Sequence, residues 1–104
     1  AGLGDRPIWI TEMGWPVGNY NDVWGFGEWI TEELQAEYTA RAFEVMREEW
    51  HWVDVAFIFI LNAAEYGGEG TDFTGFSVFR ADGTPRPVYD VLRKHAAAWQ
   101  YGER

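Results

Sequence analysis

The sequence predicts an α/β fold built from two consecutive β/α units, in the order strand, helix, strand, helix. The first unit would cover residues 1–50 and the second residues 51–104, within a chain of 104 residues that is short enough for one domain. Two observations support this fold. Each unit opens with a short apolar segment of the strand type, and each continues into a longer segment with apolar residues at helical spacing.

The first unit opens with residues 7–12, which are rich in Ile and Trp and apolar almost throughout. We expect a buried strand here, with Pro7 at its start, where the sheet needs no backbone donor. Residues 13–30 contain several glycines and predict a long loop, of the kind that is usually functional. Residues 32–50 then predict a helix with Thr31 as its N-cap.

The second unit opens with a strand predicted over residues 53–61, whose second half is continuously apolar, as in parallel strands covered on both faces. Residues 62–72 predict a second glycine-rich loop. Residues 76–79 predict a short extra strand, which a turn at residues 81–84 follows. Pro87 then opens the last helix near its first position.

The two predicted strands have consequences for the whole fold. Joined through a helix, they are expected to be parallel, with a right-handed crossover. A sheet of only two strands leaves two edges exposed and is marginally stable by itself. The pattern therefore indicates part of a larger α/β sheet or barrel.

Composition excludes several classes of protein. Hydrophobic residues make up 47% of the chain, which is too high for a disordered protein. The net charge of −9 argues against nucleic acids and anionic membranes as partners, because both need a basic surface. No apolar run is long enough to span a membrane. Cysteine is absent, which excludes disulfides and thiolate metal sites and leaves the compartment undetermined.

Aromatic residues are unusually frequent, at 18% of the chain with 7 Trp. Such an excess indicates either a heavily aromatic core or a surface that stacks on flat ligands. Carbohydrate is one candidate ligand, because tryptophan stacks on the apolar faces of sugar rings. Residues 1–6 include no initiator Met and no signal-peptide layout, so we expect a chain that has been processed, excised or engineered.

Glu12 is the main candidate for chemistry. It lies at the carboxyl end of the first predicted strand, shortly before the glycine-containing loop. In parallel α/β folds the ligand lies beyond that end of the strands, so a carboxylate there suits a nucleophile, a base or a metal ligand. The alternative is a structural role, in which the carboxylate caps an amide of the loop.

The segment Ile8–Trp15, Ile-Trp-Ile-Thr-Glu-Met-Gly-Trp, resembles the seventh strand of the clan A glycoside hydrolases, which are (β/α)8 barrels. Residues 12–16 are also similar to the family 17 β-glucanases, and residues 35–38 to cellulase-like members of families 5 and 39. Residues 56–62 resemble the eighth strand with the residue that follows it. Parts of residues 76–89 resemble the tail and last helix of those barrels.

The resemblance implies that Glu12 is the catalytic nucleophile and that the chain is a quarter of a TIM barrel, its seventh and eighth units. A retaining enzyme needs a second carboxylate, about 5–5.5 Å away, to protonate the leaving oxygen. The clan's acid/base residue ends the fourth strand, which this chain does not contain. We therefore expect the nucleophile-bearing segment of a retaining β-glycoside hydrolase, inactive without the rest of the barrel.

The expected partners are an oligo- or polysaccharide substrate and a second barrel component. That component is either a complementary barrel segment or further copies of this chain, which would cover the exposed sheet edges. The alternative function is a non-catalytic carbohydrate-binding or structural barrel fragment that self-associates.

Five residues are predicted to contact the substrate: Trp15, Trp24, Phe59, Asn62 and Glu65. Phe59 stands where many clan members carry the tryptophan at the floor of the −1 sugar subsite. Trp15 follows the nucleophile, with packing under the loop as its alternative role. Glu65 is a weaker candidate for the second carboxylate. Further weak candidates for sugar contact are Tyr20, Phe26, Trp29, Tyr66 and Asp72.

No metal or cofactor site is predicted. The two histidines, His51 and His95, are not at ligand spacing. His95 lies on the apolar stripe of the last helix, which predicts a core or boundary position. The acidic residues Glu32, Glu33 and Glu37 are interpreted as a solvated helix face, and no glycine motif for phosphate binding occurs.

Overall fold

A computed structural model describes residues 4–19, 29–63 and 73–100 of the chain. It contains four strands, two α-helices and one short 3₁₀ turn. In chain order these are β1 (Ile8–Met13), β2 (Gly18–Asn19), β3 (Trp29–Ile30), α1 (Glu32–Glu48), β4 (Val53–Ile58), the 3₁₀ turn (Thr74–Phe76) and α2 (Val88–Gln100). The predicted β-α-β-α order is confirmed.

β1 and β4 form a parallel two-stranded sheet, as predicted. The register aligns Ile8 with Val53 at one end and Met13 with Ile58 at the other, with two irregularities between them. Because the strands are parallel, their carboxyl ends lie at the same edge of the sheet. The described residues therefore form a mixed α/β structure with two parallel strands and two helices.

α1 begins at the predicted N-cap. The Thr31 hydroxyl accepts a hydrogen bond from the Leu34 amide at 3.1 Å, which satisfies one of the donors left open in the first turn. The helix ends at Glu48, two residues before the predicted end, and the Glu49 amide still bonds to the Val45 carbonyl. Local sequence signals thus predict where this helix begins and predict its end to within two residues.

The core lies between the two helices and one face of the sheet. Its buried members are Ala36 on α1, Val88 on α2 and Val78 on the segment before α2, and Ile58 and Leu92 pack against them. A cavity of about 410 Å³ lies between the helices and β4, lined mainly by apolar side chains. The helices therefore cover the sheet incompletely.

The opposite face of the sheet is open. Trp9 on β1 and Phe57 on β4 are 59% and 50% exposed, and their ring centroids lie 6.4 Å apart. Two predictions about burial are therefore wrong. The strand predicted at residues 7–12 is not buried, and the strand predicted at residues 53–61 is not covered on both faces. Consecutive strand residues point to opposite faces. Among the described residues helices cover only one face, and four of the six β1 residues and two of the six β4 residues remain exposed.

One predicted loop and one predicted strand differ from the structure. Within residues 13–30, the two-residue strands β2 and β3 pair antiparallel. In place of the predicted extra strand at residues 76–79 there is the 3₁₀ turn and a single antiparallel bridge between Phe79 and Pro85. Sequence periodicity cannot resolve such short elements, because two or three residues carry no measurable period.

The turn at residues 81–84 is confirmed. Gly83 has φ of 85°, a conformation that side chains with a Cβ rarely adopt, and its amide bonds to the Arg80 carbonyl at 2.9 Å. α2 then begins directly after Pro87, as predicted. None of the helices in the described ranges is long and apolar enough to cross a membrane.

His95 joins the two helices. It is buried, its ring stacks on Phe43 at 5.2 Å, and its Nδ1 accepts a hydrogen bond from the Arg47 guanidinium at 3.0 Å. Its predicted core position is confirmed. Burial lowers the pKa of His95 below its ordinary value, and the nearby positive charges of Arg47 and Lys94 lower it further.

We predict that the protein loses stability as the pH falls below about 6.5, where His95 gains protons in the unfolded chain before it does so in the folded one. Replacing His95 with Gln should remove this component of the pH dependence. Urea unfolding at about pH 7.5 and about pH 5.5 measures it as the difference between the two midpoints. His51→Gln, on an exposed turn, is the control and should keep the wild-type difference. An unchanged difference in His95→Gln would contradict the assignment.

Candidate functional site

Glu12 is the penultimate residue of β1 and is exposed to solvent. It lies at the edge where both parallel strands end, because the carbonyl of the next residue, Met13, accepts a hydrogen bond from the Phe59 amide at 2.9 Å. Within residues 4–19, 29–63 and 73–100, no salt bridge or hydrogen bond engages the Glu12 carboxylate. A carboxylate in this position can reach a ligand from solvent.

Gly14 brings the chain after Glu12 into contact with the end of the second strand. A Cβ atom at Gly14 would collide with the carbonyl oxygen of Phe59 and would lie 3.3 Å from the Phe76 ring. The main obstacle is backbone, which cannot rotate away as a side chain can. The glycine two residues after Glu12 is therefore needed for close packing at this edge.

A buried glutamine holds the segment that follows. The Gln35 side-chain amide on α1 donates to the Trp15 carbonyl at 3.0 Å and to the Gly75 carbonyl at 3.2 Å, and Gln35 is 3% exposed. The Val17 amide donates to the same Gly75 carbonyl at 2.8 Å. One side chain thus connects α1, the segment after β1 and the 3₁₀ turn.

Glu32 anchors a charged cluster beside this connection. Its carboxylate accepts hydrogen bonds from Arg80 at 2.8 and 2.9 Å and from Arg86 at 3.0 Å. The interpretation of Glu32 as part of a solvated helix face is therefore wrong, because the fold brings two arginines from 48 and 54 residues later in the chain onto this carboxylate. Glu33 and Glu37 are exposed, as expected.

The charged cluster also fixes the 3₁₀ turn. The Arg86 guanidinium donates to the carbonyls of Thr74, Gly75 and Ser77 at 3.2, 3.0 and 2.7 Å. The hydrogen bonds from Arg80 lower the pKa of Glu32, although burial opposes this, and the positive charges of both arginines add to the lowering. The resulting stability is present above the ordinary carboxyl pKa and is lost as the pH falls through the lowered value.

Three of the residues predicted to contact substrate lie in described parts of the chain. Phe59 is half-buried and meets the Phe73 and Phe76 rings edge-on, each at 5.6 Å. Asn62 lies beyond the end of β4 and is exposed. Trp15 is half-buried, with its ring 6.1 Å from that of Tyr38 on α1.

Trp15 lines a groove of about 470 Å³ beside β1 and α1. The other lining residues are Met13, Tyr38, Arg41, Ala42, Val45 and Trp50. The structure therefore brings the backbone of Phe59 close to Glu12, whereas the Trp15 ring contacts α1. Trp15 thus packs against Tyr38 of α1, and its predicted contact with substrate stays a prediction.

The other predicted contacts fall mostly outside the described residues. Glu65 and Trp24 do so, as do Tyr20, Phe26, Tyr66 and Asp72. Of Trp29, the backbone lies in β3. Among the described residues, no group of three or more His, Asp or Glu side chains could hold a metal ion.

Sequence inspection missed Gln35 and the arginines of the charged cluster. One local signal could have found Gln35. It is an uncharged residue in the otherwise acidic first turn of α1, and it stands next to the buried residue Ala36. Arg80 and Arg86 flank the turn at residues 81–84, but nothing local indicates that both reach α1. These residues hold the segments around the candidate site through hydrogen bonds to α1 and to the 3₁₀ turn.

Comparisons with known proteins add no family assignment. No protein-family model matches the chain, and comparisons with curated proteins and with solved structures found no match. The functional interpretation therefore depends on the residues of this chain and their arrangement.

We predict that Gly14→Ala lowers the free energy of unfolding by about 1–3 kcal/mol, because the new methyl group overpacks against the Phe59 carbonyl. Urea unfolding followed by far-ultraviolet circular dichroism measures the change. Gly4→Ala is the matched control, because a Cβ there meets nothing within 4 Å. Equal stability of the two variants would show that the close approach at Gly14 is not required.

We also predict that Glu32→Gln destabilises the protein by about 1–3 kcal/mol, because the half-buried Arg86 loses its charged acceptor. Glu33→Gln makes the same charge change at the adjacent exposed residue and should stay within about 0.5 kcal/mol of the wild type. Chemical denaturation near neutral pH compares the two variants. A similar loss in both would attribute the effect to net charge instead of the cluster.

Proposed function

We propose that this chain is the nucleophile-bearing segment of a retaining β-glycoside hydrolase, with Glu12 as the nucleophile. One observation carries the proposal: an exposed glutamate ends a strand of a parallel pair, in the context Thr-Glu-Met-Gly-Trp. Ligands of parallel α/β folds lie beyond this end of the strands. The close packing at Gly14 adds support, since it explains the glycine of the motif.

The proposed chemistry requires two carboxyl groups. The Glu12 carboxylate attacks the anomeric carbon, a covalent glycosyl-enzyme bond forms and the glycosidic carbon–oxygen bond breaks. A carboxylic acid from the rest of the barrel gives its proton to the leaving oxygen. That group then removes a proton from water, whose oxygen attacks the anomeric carbon and releases Glu12.

The proposed fold is a quarter of a TIM barrel, and the open surfaces of the chain suit this. Both outer edges of the β1–β4 sheet are unpaired among the described residues, and Trp9 and Phe57 project from its uncovered face. Further parallel strands would pair with the edges and bury these rings. Without them the cleft has a single wall, so we expect no catalysis by the isolated chain.

A second candidate function is a non-catalytic carbohydrate-binding or structural fragment that self-associates. The exposed rings of Trp9 and Phe57 favour it, because apolar surface of this kind promotes association between copies. The two candidates differ in chemistry. Only the first requires Glu12 to form a covalent bond with a sugar.

We predict that a mechanism-based fluoroglycoside labels Glu12 once a working site exists. The chain is incubated with the reagent alone and after mixing with a segment that carries the first six β/α units of a clan A hydrolase. Mass spectrometry of the digested protein should locate one glycosyl adduct on the peptide that contains Glu12, because fluorine at the sugar slows hydrolysis of the glycosyl-enzyme.

Two matched variants interpret this experiment. Glu12→Gln should abolish labelling, whereas Glu37→Gln, at an exposed carboxylate on α1, should leave it intact. Sugar binding without an adduct in either mixture would favour the non-catalytic fragment. Labelling of another carboxylate would contradict the assignment of Glu12.

A further inference from the structure

The turn between α1 and β4, residues 49–52, is held firmly by backbone hydrogen bonds. The Trp50 amide bonds to the Val45 carbonyl at 3.0 Å, and the Val53 amide bonds to the Trp50 carbonyl at 2.9 Å. The Ile8 amide of β1 bonds to the Trp52 carbonyl at 2.8 Å. The backbone of this turn is therefore fixed relative to both the helix and the sheet.

Two tryptophans occupy this turn and stack on each other. Their ring centroids lie 5.5 Å apart with an angle of 26° between the planes, and Trp50 and Trp52 are 43% and 45% exposed. Because each indole covers one face of the other, the exposed area belongs to their outer faces and edges. The outer faces of the two rings point in opposite directions, and each ring supports the other from behind, so the pair offers a preorganised flat apolar face on either side.

The size and charge of this surface restrict its ligand. A stable protein interface buries about 800 Å² per partner, far more than two half-exposed indoles offer. A nucleic acid would meet the exposed carboxylates of Glu48 and Glu49 on a chain of charge −9. A cation cage needs rings arranged around the ion, and stacked rings leave no space between them for one.

A sugar ring fits what remains. It has a flat carbon–hydrogen face for the indoles and a rim of hydroxyl groups for the polar side chains around them. Exposed donors and acceptors stand next to the pair, including His51, Glu48 and Glu49, with Arg41 3.7 Å from the Glu49 carboxylate. Hydroxyl groups can bond with all of these groups without a buried charge being left unpaired.

We propose that Trp50 and Trp52 form a second carbohydrate-binding site, which anchors a glycan chain and takes no part in bond cleavage. The sugar class rests on the proposed function. The site lies at the amino end of the strands, since Trp52 is bonded to Ile8, whereas Glu12 is four residues further along β1, about 13 Å away. It therefore lies at the opposite end of β1 from the proposed nucleophile, although Trp50 also lines the groove that contains Met13 and Trp15.

The test uses the full chain and four soluble glycans: cellohexaose, laminarihexaose, xylohexaose and mannohexaose. Saturation-transfer NMR detects weak binding, and titration of the indole N–H signals gives the affinity. We expect at least one glycan to bind and to shift the signals of both tryptophans. Trp52→Ala and Trp50→Ala should each weaken that binding by about tenfold or more, because one ring carries the sugar and the other holds it in position by stacking.

Trp9→Ala is the matched control, because it removes another exposed indole from the open face of the sheet and should leave the affinity within about twofold of the wild type. Trp52→Phe keeps a flat ring and should retain part of the binding, which separates loss of stacking from loss of folding. Failure of all four glycans to bind would overturn the second site. Binding that both turn variants retain would also overturn it.

The experiments can refute either proposal without refuting the other. Glycan binding that depends on Trp50 and Trp52, with no adduct on Glu12, would keep the second site and refute the nucleophile. An adduct on Glu12 with binding unaffected by the turn variants would do the reverse.

Discussion

The parallel pairing of β1 with β4 is the constraint on which the rest of this structure depends. It places the carboxyl ends of both strands at one edge, where Glu12 lies, and the turn with Trp50 and Trp52 at the other. The pairing continues past β4 through the bond between Met13 and Phe59, a contact that only a glycine two residues after Glu12 permits. The direction of two strands thus sets the positions of both proposed sites.

Polar side chains stabilise what a small core leaves unsupported. Gln35 donates from α1 to two carbonyls of separate segments, and Arg86 donates to two carbonyls of the 3₁₀ turn and to that of Ser77 while it pairs with Glu32. Hydrogen bonds to charged groups are stronger than neutral ones, so these links hold loops that apolar packing does not reach. Long-range polar contacts therefore stabilise the end of the sheet where Glu12 lies as much as the pairing of β1 with β4 does.

The open face of the sheet and the acidic charge of the chain act in opposite directions. Trp9 and Phe57 expose apolar rings that favour association, whereas a net charge of −9 makes copies of the chain repel one another. A partner that completes the sheet would cover these apolar rings. If it were less acidic than this chain, it would also be repelled less than another copy of the chain. The proposed complementary barrel segment would meet both conditions if it carried less negative charge than this chain.

The sequence by itself determined the order of elements, the N-cap at Thr31 and the start of the last helix after Pro87, because each depends on neighbours within a few residues. It also located Glu12 at a strand end, since the strand and the glycine that follows it are local signals. Only the tertiary structure decided that Glu32 pairs with two distant arginines and that Phe57 stays exposed. Ion pairs between segments about 50 residues apart leave no periodic trace, and the burial of a strand depends on which layers cover it.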